Sequence, residues 1–270
     1  MATRMGRPAS WVTICAALVL LGVAHGRAAW AAASPGDLRV AVASSFSQTA
    51  ERLCRAFFTG RPGRCVLTPG ASGLLASQVA QGAPFDVFLS ADRKRAERLE
   101  VEGLAVAGSR FTYATGRLVL WAPAHASVED LKTILSSVSV RVVAIANPAS
   151  APYGAAALET LHTLGIDAAG QSRIVQGANA AQAFQFVERG AADAGFVAMS
   201  QVLEYEASSG TSIAHEIVAV DPALHAPIEQ QAVLLVGAAS NATARDLLEF
   251  LRSDTAGRII AAAGYDVPPR

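Results

Sequence analysis

The chain has 270 residues, of which 52% are hydrophobic and 16% are charged, which is ample for a large core in one or two domains. Its 22 basic residues balance its 22 acidic residues. The charge balance therefore gives no reason to expect binding to nucleic acid or to an acidic membrane surface. We also expect the protein to be a monomer.

The first 33 residues have the pattern of a secretory signal. Arg4 and Arg7 give a basic start, 11–23 is a short apolar stretch, and alanine-rich sequence ends at Ala33. The apolar stretch is too short for a membrane span. We expect export to the periplasm with cleavage near Ala33, although cleavage two or three residues earlier fits equally. The mature chain then has 19 basic residues against 22 acidic ones.

Cleavage leaves two cysteines, Cys54 and Cys65. An exported chain with two cysteines favours a disulfide, and two buried free thiols are the alternative. Cys54 falls late in a predicted helix and Cys65 early in the next predicted strand, with a glycine- and proline-containing turn at 60–63 between them. We expect a structural bridge, because the spacing is neither Cys-x-x-Cys nor a metal-ligand pattern.

From residue 37 onward, short apolar runs alternate with amphipathic segments. This alternation predicts an α/β fold with mainly parallel sheets, covered by helices on both faces. In the first predicted helix, Ala50, Leu53 and Phe57 recur at helical spacing and form one apolar stripe. In chain order we expect strand 38–43, helix 46–59, strand 66–68, helix 73–81, strand 86–89, helix 93–100, strand 118–121, helix 128–135, strand 142–146, helix 153–164, strand 174–175, helix 180–189, strand 194–197, and helices 243–252 and 255–263.

Two segments break the alternation, at 112–123 and at 218–236, where extended sequence replaces a helix. A chain that leaves one domain, builds a second and returns would contain two such crossings, and paired crossings can act as hinges. We therefore expect one lobe from 34–115 together with 232–270, and a second lobe from 116–231.

Most catalytic signatures are absent from the sequence. It contains no Gly-x-Ser-x-Gly elbow, no His-Glu-x-x-His pair and no phosphate-loop lysine. The four histidines of the mature chain are scattered, without metal-ligand spacing. Asp86 and Asp92 flank a strand end, where we expect turn chemistry and a helix cap. We therefore expect a protein that is not an enzyme and that has neither a cofactor nor a metal.

Polar residues follow the predicted strand ends at four helix starts. Ser45 and Gln48 have capping-box spacing, and Ser72 opens the next helix. A proline precedes Tyr153 at a third start, and an asparagine precedes Ala180 at a fourth. Helix capping alone is one interpretation. The other is an anion site, because helix starts present free N–H groups and positive dipole ends at the ligand-binding edge of an α/β sheet.

The sequence resembles the periplasmic molybdate-binding proteins of ABC importers. The most specific match is 82–92, with the pattern Gly-Ala-Pro-x-Asp-x-Phe-x-Ser-Ala-Asp. The resemblance covers essentially the whole mature chain in order, through segments 40–48, 69–75, 82–92, 147–148, 152–154, 195–198, 227–235 and 250–265.

The resemblance implies the type II periplasmic-binding fold, with two α/β lobes joined by two hinge crossovers and closing on an oxyanion. It also implies five binding positions. The hydroxyl residues after the first strand match Ser44 and Ser45, the serine of the second turn matches Ser72, and the backbone donors of the second lobe match Tyr153 and Ala180.

One position departs from the family pattern. Some relatives place a tyrosine hydroxyl on the anion from the position of Ala198. Because this chain lacks that donor, we expect Tyr153 to contribute more, through its N–H group or by walling the pocket.

The function implied by the resemblance is the capture of molybdate, and of tungstate, for delivery to the permease of an ABC importer. Three alternatives stay open. The ligand could be sulfate, thiosulfate or phosphate, which are also tetrahedral oxyanions. The protein could be an exported hydrolase with Ser45 or Ser72 as nucleophile, although the sequence offers no base near either serine. It could also be a sensor that binds an anion and serves no importer.

Overall fold

The computed structural model describes residues 36–125, 130–166 and 174–269. These residues form ten strands and nine α-helices in a two-lobed α/β arrangement, which confirms the predicted fold class. The strands are β1 (Leu38–Ala43), β2 (Cys65–Gly70), β3 (Val87–Ser90), β4 (Phe111–Gly116), β5 (Leu118–Trp121), β6 (Val143–Ala146), β7 (Ile174–Gly177), β8 (Ala194–Ala198), β9 (Ile217–Ala219) and β10 (Ile228–Leu234). The helices are α1 (Ser47–Phe57), α2 (Ser72–Ala80), α3 (Arg93–Val101), α4 (Leu131–Ser136), α5 (Pro152–Thr163), α6 (Ala180–Glu188), α7 (Met199–Ser209), α8 (Ala242–Leu251) and α9 (Asp254–Ala262). The predicted signal segment and its cleavage site lie outside the described residues.

The two sheets repeat one layout. The first has the strand order β2-β1-β3-β10-β4 and the second has the order β7-β6-β8-β5-β9. In each sheet three neighbouring strands are parallel, and the other two pair antiparallel. Because parallel strands end at the same edge, the helix starts that follow β1 and β2 share one edge, as do those that follow β6 and β7.

The chain crosses between the sheets twice. After β4, Arg117 is the one residue before β5 in the second sheet, and the chain returns from β9 into β10 of the first sheet. We call the part built on the first sheet lobe 1 and the part built on the second sheet lobe 2. The exact lobe boundaries, 34–115 with 232–270 and 116–231, stay a prediction.

Apolar side chains cover both faces of each sheet. The stripe predicted in α1 is confirmed, because Ala50, Leu53 and Phe57 are all buried in the core of lobe 1 beside residues of α8 and α9. The opposite face of that sheet packs against α2 and α3, and lobe 2 has a core on each side of its sheet in the same way. These four apolar clusters, one on each face of each sheet, hold the ends of the parallel strands in fixed positions.

A disulfide joins Cys54 to Cys65, as predicted, and it ties α1 to the first residue of β2. In contrast, the predicted capping box of Ser45 and Gln48 is wrong. Residues Ser44–Phe46 form a short 3-10 turn, and α1 begins only at Ser47 without a side-chain cap. The Ser45 carbonyl is instead engaged in contacts with other parts of the chain, which hold this turn in place.

The helix α7 was not predicted. Ser200 and Gln201 are buried on it beside Val202, so its inward face is partly polar and lacks the apolar period that reveals a helix. Elsewhere the predicted elements are confirmed within a few residues. The beginning of predicted helix 128–135 lies outside the described residues, and α4 is described from Leu131, capped by Asp130.

Candidate functional site

The turn after β1 places Ser44 and Ser45 at the end of an interior strand of the lobe 1 sheet, because β1 lies between β2 and β3. The Ser44 carbonyl accepts a bond from the Ser47 hydroxyl at 3.0 Å. The Ser45 carbonyl accepts bonds from the hydroxyls of Ser200, at 2.9 Å, and Tyr265, at 2.6 Å. In a helical turn the N–H groups point away from the carbonyls, towards the start of the turn. The first N–H groups of a helical turn have no acceptor within the turn, so this turn offers backbone donors where β1 ends.

Ser72 is the first residue of α2 and is almost fully buried, at 1% exposure. Its hydroxyl accepts a bond from the Ala91 N–H group at 2.9 Å. Ala91 follows β3, so the neighbouring strand end fixes the orientation of this hydroxyl. A hydroxyl that accepts one bond still has a proton to donate, which makes Ser72 a positioned neutral donor.

Tyr153 is the second residue of α5, behind Pro152 at the first position. The Tyr153 side chain is buried, and its hydroxyl accepts a bond from Gln230 Nε2 at 3.4 Å. Burial, together with the nearby Tyr265 and Tyr113, raises the pKa of Tyr153 well above its ordinary value, so the phenol is neutral. The first-turn N–H group has no intrahelical acceptor and is the part of Tyr153 suited to an anion.

Ala180 begins α6 behind Asn179, whose side chain accepts a bond from the Gln182 N–H group at 3.1 Å. The Ala180 carbonyl accepts a bond from Gln201 Nε2 at 3.1 Å. The other end of the same carboxamide accepts from the Ala198 N–H group, also at 3.1 Å. Gln201 therefore joins the start of α6 to the end of β8, and it is a supporting residue that sequence reasoning missed.

The two lobes contact each other along the edges where these helix starts lie. The Gly73 N–H group donates to the Ser150 carbonyl at 2.9 Å, which joins the start of α2 to the residues before α5. The Ser45 turn lies against α6 and α7. Small buried side chains from both lobes form one cluster at this contact, which consists of Ala71, Ala146, Ala151 and Ala183. The structure thus brings the predicted positions of both lobes to one interface.

An ion pair of lobe 1 lies beside this interface. Arg95 on α3 forms an ion pair with Asp92, and its Nη2 donates to the Ala149 carbonyl of lobe 2 at 2.8 Å. Asp92 also caps α3 by accepting from the Arg95 N–H group, as predicted. Within the described ranges, no group of three or more His, Cys, Asp or Glu residues could hold a metal ion. The donors that the helix starts offer are neutral hydroxyl and N–H groups.

Ala198, the position that departs from the family pattern, is fully buried in the apolar core of lobe 2. It ends β8 and leads directly into α7. The position is therefore occupied by core packing, and the polar side chains nearest along the chain are Ser200 and Gln201.

Comparison with known proteins agrees with this architecture. A family model described as bacterial extracellular solute-binding protein matches residues 38–266. The molybdate-binding protein ModA of Azotobacter vinelandii is 41% identical over 234 residues, which cover 87% of this chain and 91% of that protein. ModA of Rhodobacter capsulatus is 41% identical over 254 residues, 94% and 96% of the two chains. A solved structure of the Azotobacter vinelandii periplasmic molybdate-binding protein aligns with a TM-score of 0.80 and 37% identity, covering 86% of this chain and 100% of that chain.

The fold has two lobes, and the helix starts of both lobes meet at one interface. This arrangement is that of a two-lobed binding protein. The chain belongs to the family of bacterial extracellular solute-binding proteins. The relatives above are named for binding and not for catalysis. Over the three ranges that the structure covers, no helix is long and apolar enough to cross a membrane.

Proposed function

We propose that this protein is a periplasmic solute-binding protein that captures molybdate, and also tungstate, between its lobes and delivers it to the permease of an ABC importer. The observation that carries the proposal is the meeting of four helix starts, two from each lobe, where the lobes touch. Relatives named for molybdate binding at 41% identity support the choice of anion.

The proposed binding set consists of Ser44, Ser45, Ser72, and the N–H groups of Tyr153 and Ala180. Each hydrogen bond to a charged group contributes about 1.5–3 kcal/mol net. Five such bonds, less the costs of desolvation and lobe closure, are sufficient for sub-micromolar binding. The molybdate is the cargo of the protein and not a cofactor, and the proposal includes no metal site and no enzymatic activity.

Neutral donors suit a fully deprotonated tetrahedral dianion. Such a site has no carboxylate to accept a proton from a protonated oxyanion, which disfavours hydrogen phosphate. Sulfate has the same charge and shape as molybdate and differs chiefly in size, so it is the strongest alternative within this class. Thiosulfate is disfavoured by its unequal substituents.

A hydrolase using Ser45 or Ser72 is not supported by the contacts at these residues. The bond recorded for the Ser72 hydroxyl joins it to a backbone N–H group, which is a donor and cannot act as a base. Two histidines form hydrogen bonds with residues other than these serines. His125 bonds to Ser139, and His225 bonds to the carbonyl of its neighbour Ala226.

Calorimetric titration of the mature protein with molybdate, tungstate, sulfate and phosphate tests the proposal. We expect binding of the first two anions and hardly any of the others at the same concentration. Because a ligand that binds only the folded state stabilises it by about 2.7 kcal/mol at a hundredfold excess over Kd, thermal unfolding should give the same ranking. Equal binding of sulfate would refute the assignment to molybdate.

Single substitutions test the proposed positions. Ser45→Ala and Ser72→Ala should each lower molybdate affinity at least tenfold, because losing a hydrogen bond to a charged partner costs about 1.5–3 kcal/mol. Ser77→Ala, further along α2, is the matched control and should leave affinity within about twofold. If both site variants bound molybdate like the parent, the site would lie elsewhere.

Delivery to an importer is tested separately from binding. A binding protein that serves an importer should stimulate the ATPase activity of its permease complex when loaded with molybdate. Tight binding without stimulation of any permease encoded beside the gene would favour the sensor alternative.

A further inference from the structure

One carbonyl oxygen is shared between the two lobes. The Ser45 carbonyl accepts from Ser200 Oγ, which belongs to α7 of lobe 2, at 2.9 Å. It also accepts from the Tyr265 hydroxyl at 2.6 Å, and the Tyr265 ring packs in the core of lobe 1 against Phe46. All three residues that form these bonds are buried, with exposures of 5% for Ser45, 5% for Ser200 and 3% for Tyr265.

The two hydroxyl protons of Ser200 and Tyr265 can both be assigned to the Ser45 carbonyl. The Ser200 and Tyr265 oxygens are themselves 2.9 Å apart, so three short contacts share two hydroxyl protons. A carbonyl oxygen has two lone pairs and can accept both protons. The 2.6 Å and 2.9 Å distances to the Ser45 carbonyl fit that assignment, which leaves each hydroxyl oxygen able to accept another bond.

The bonds continue through the strand that returns from lobe 2. Gln230 on β10 is fully buried, and its Oε1 accepts from the Tyr113 hydroxyl at 3.0 Å. Its Nε2 donates to the Tyr153 hydroxyl of lobe 2, and it also bonds to the Tyr265 hydroxyl. We call Tyr113, Tyr153, Gln230, Tyr265 and Ser200 the hinge network. Burial raises the pKa values of its three tyrosines, so all of its hydroxyls keep their protons.

Separation of the lobes would break this network. Ser200 and Tyr153 would move away with lobe 2, while Ser45, Tyr113 and Tyr265 would stay with lobe 1. A buried donor or acceptor left without a partner is costly, so water has to replace each lost bond as the lobes part. The Ser45 carbonyl would then keep only the Tyr265 bond, and the turn that contains Ser45 would be held less firmly.

We propose that Ser200 and Tyr265 are positioning residues that hold the Ser45 turn in its binding orientation when the lobes meet, and thereby slow the release of the bound anion. This inference rests on the proposed function, because it takes Ser45 as part of the oxyanion site. Ser200 supplies the bond that exists only between lobes, whereas Tyr265 holds the same carbonyl from within lobe 1.

The test measures association and dissociation rates of molybdate by stopped flow, together with calorimetric affinity. Ser200→Ala should raise the dissociation rate about tenfold and leave the association rate within about threefold, because the bond it removes forms only after the lobes close. Tyr265→Phe keeps the ring and should also weaken affinity several-fold. The effects of the two changes should not add, since both donors share one acceptor.

Matched controls use the same helix. Ser209→Ala removes an exposed hydroxyl that bonds to the Tyr205 carbonyl, and Tyr205→Phe removes a phenol outside the hinge network. Both should keep the parent rates. The melting temperature of anion-free Ser200→Ala should also match that of the parent, since the variant loses a bond between lobes and no core contact. Ser200→Thr keeps a hydroxyl, so its molybdate dissociation rate should be close to that of the parent.

The outcomes separate the two proposals. If the parent binds molybdate and Ser200→Ala releases it at the parent rate, the positioning role is wrong while the proposed function stands. If the parent binds sulfate in place of molybdate, the molybdate assignment fails, and the same rates measured with sulfate decide the positioning role. If it binds neither oxyanion, both proposals are refuted.

Discussion

Glu204 should make the stability of the protein fall as the pH rises from 4.5 towards neutrality. It lies on α7, and its Oε1 is buried with no hydrogen-bond partner in the described part of the chain. Burial, opposed by Arg52 and assisted by Glu51, raises the pKa of Glu204 from 4.5 to about 7. The ionised form is therefore disfavoured in the folded state.

The sign and size of the effect follow from proton linkage. Between pH 4.5 and about 7 the folded state binds more protons at Glu204 than the unfolded state, so stability falls across that window. Each pKa unit corresponds to 1.36 kcal/mol, which gives an upper bound of about 3.4 kcal/mol. Because Glu204 is only half-buried and its surroundings can relax, we expect about 1–2 kcal/mol.

Other shifted carboxyl groups do not obscure this window. Their partners lower the pKa values of Glu100, Asp130 and Asp266. The stability that these three add is therefore present above their ordinary pKa values of 4.5 and 3.8, and it is lost only as the pH falls below them. Between pH 5.5 and 8 their contribution is constant, and the slope reports Glu204.

Urea unfolding at pH 5.5, 6.5, 7.5 and 8 provides the assay. Glu204→Gln removes the titration, so we expect it to be nearly flat with pH and more stable than the parent at pH 8. Glu188→Gln makes the same chemical change at an exposed position on α6 and should follow the parent. The reasoning is refuted if the parent is flat over this range, or if Glu204→Gln follows the parent.

Three further changes test other parts of the structure. Replacing Cys54 and Cys65 together by serine should cost about 2–3 kcal/mol in urea unfolding, and the denatured parent should show no free thiol without reductant. Gly154→Ala would place Cβ 2.0 Å from a backbone carbonyl oxygen of β6 and should lower the melting temperature by several degrees, whereas Gly237→Ala, with open space around it, should not. Ala198→Tyr should cost about 1–3 kcal/mol by overpacking the lobe 2 core, with no gain in molybdate affinity by titration.

The helices and strands that bury an apolar face could be predicted from the sequence. β1 and β5 are described over the predicted residues, and the Ala50, Leu53 and Phe57 stripe lies in the core. The disulfide followed from counting cysteines in an exported chain. These features depend on local periodicity or on composition, and both can be read along the chain.

The features that sequence missed depend on contacts between distant residues. Ser45 looked like a helix cap because Gln48 has the right spacing, but its carbonyl bonds to Ser200 and Tyr265, which are 155 and 220 residues away. The helix α7 was hidden because the contact between lobes requires polar residues on its buried face. Three successive polar residues, Glu229, Gln230 and Gln231, lie near the start of β10, and buried glutamines in a strand were the signal of the hinge network that the sequence offered.

The way the chain crosses between sheets also determines when each lobe can fold. The strands of lobe 2 are contiguous in the chain, from β5 to β9, but the sheet of lobe 1 lacks its fourth strand until β10 has been added. Among the strands that the structure describes, β4 pairs only with β10, so it has no strand partner before β10 is added. Because the chain is synthesised from its amino end, synthesis of lobe 1 begins first. We nevertheless expect lobe 2 to become protected from hydrogen exchange before lobe 1. Simultaneous protection of both sheets in truncated chains ending before β10 would contradict this order.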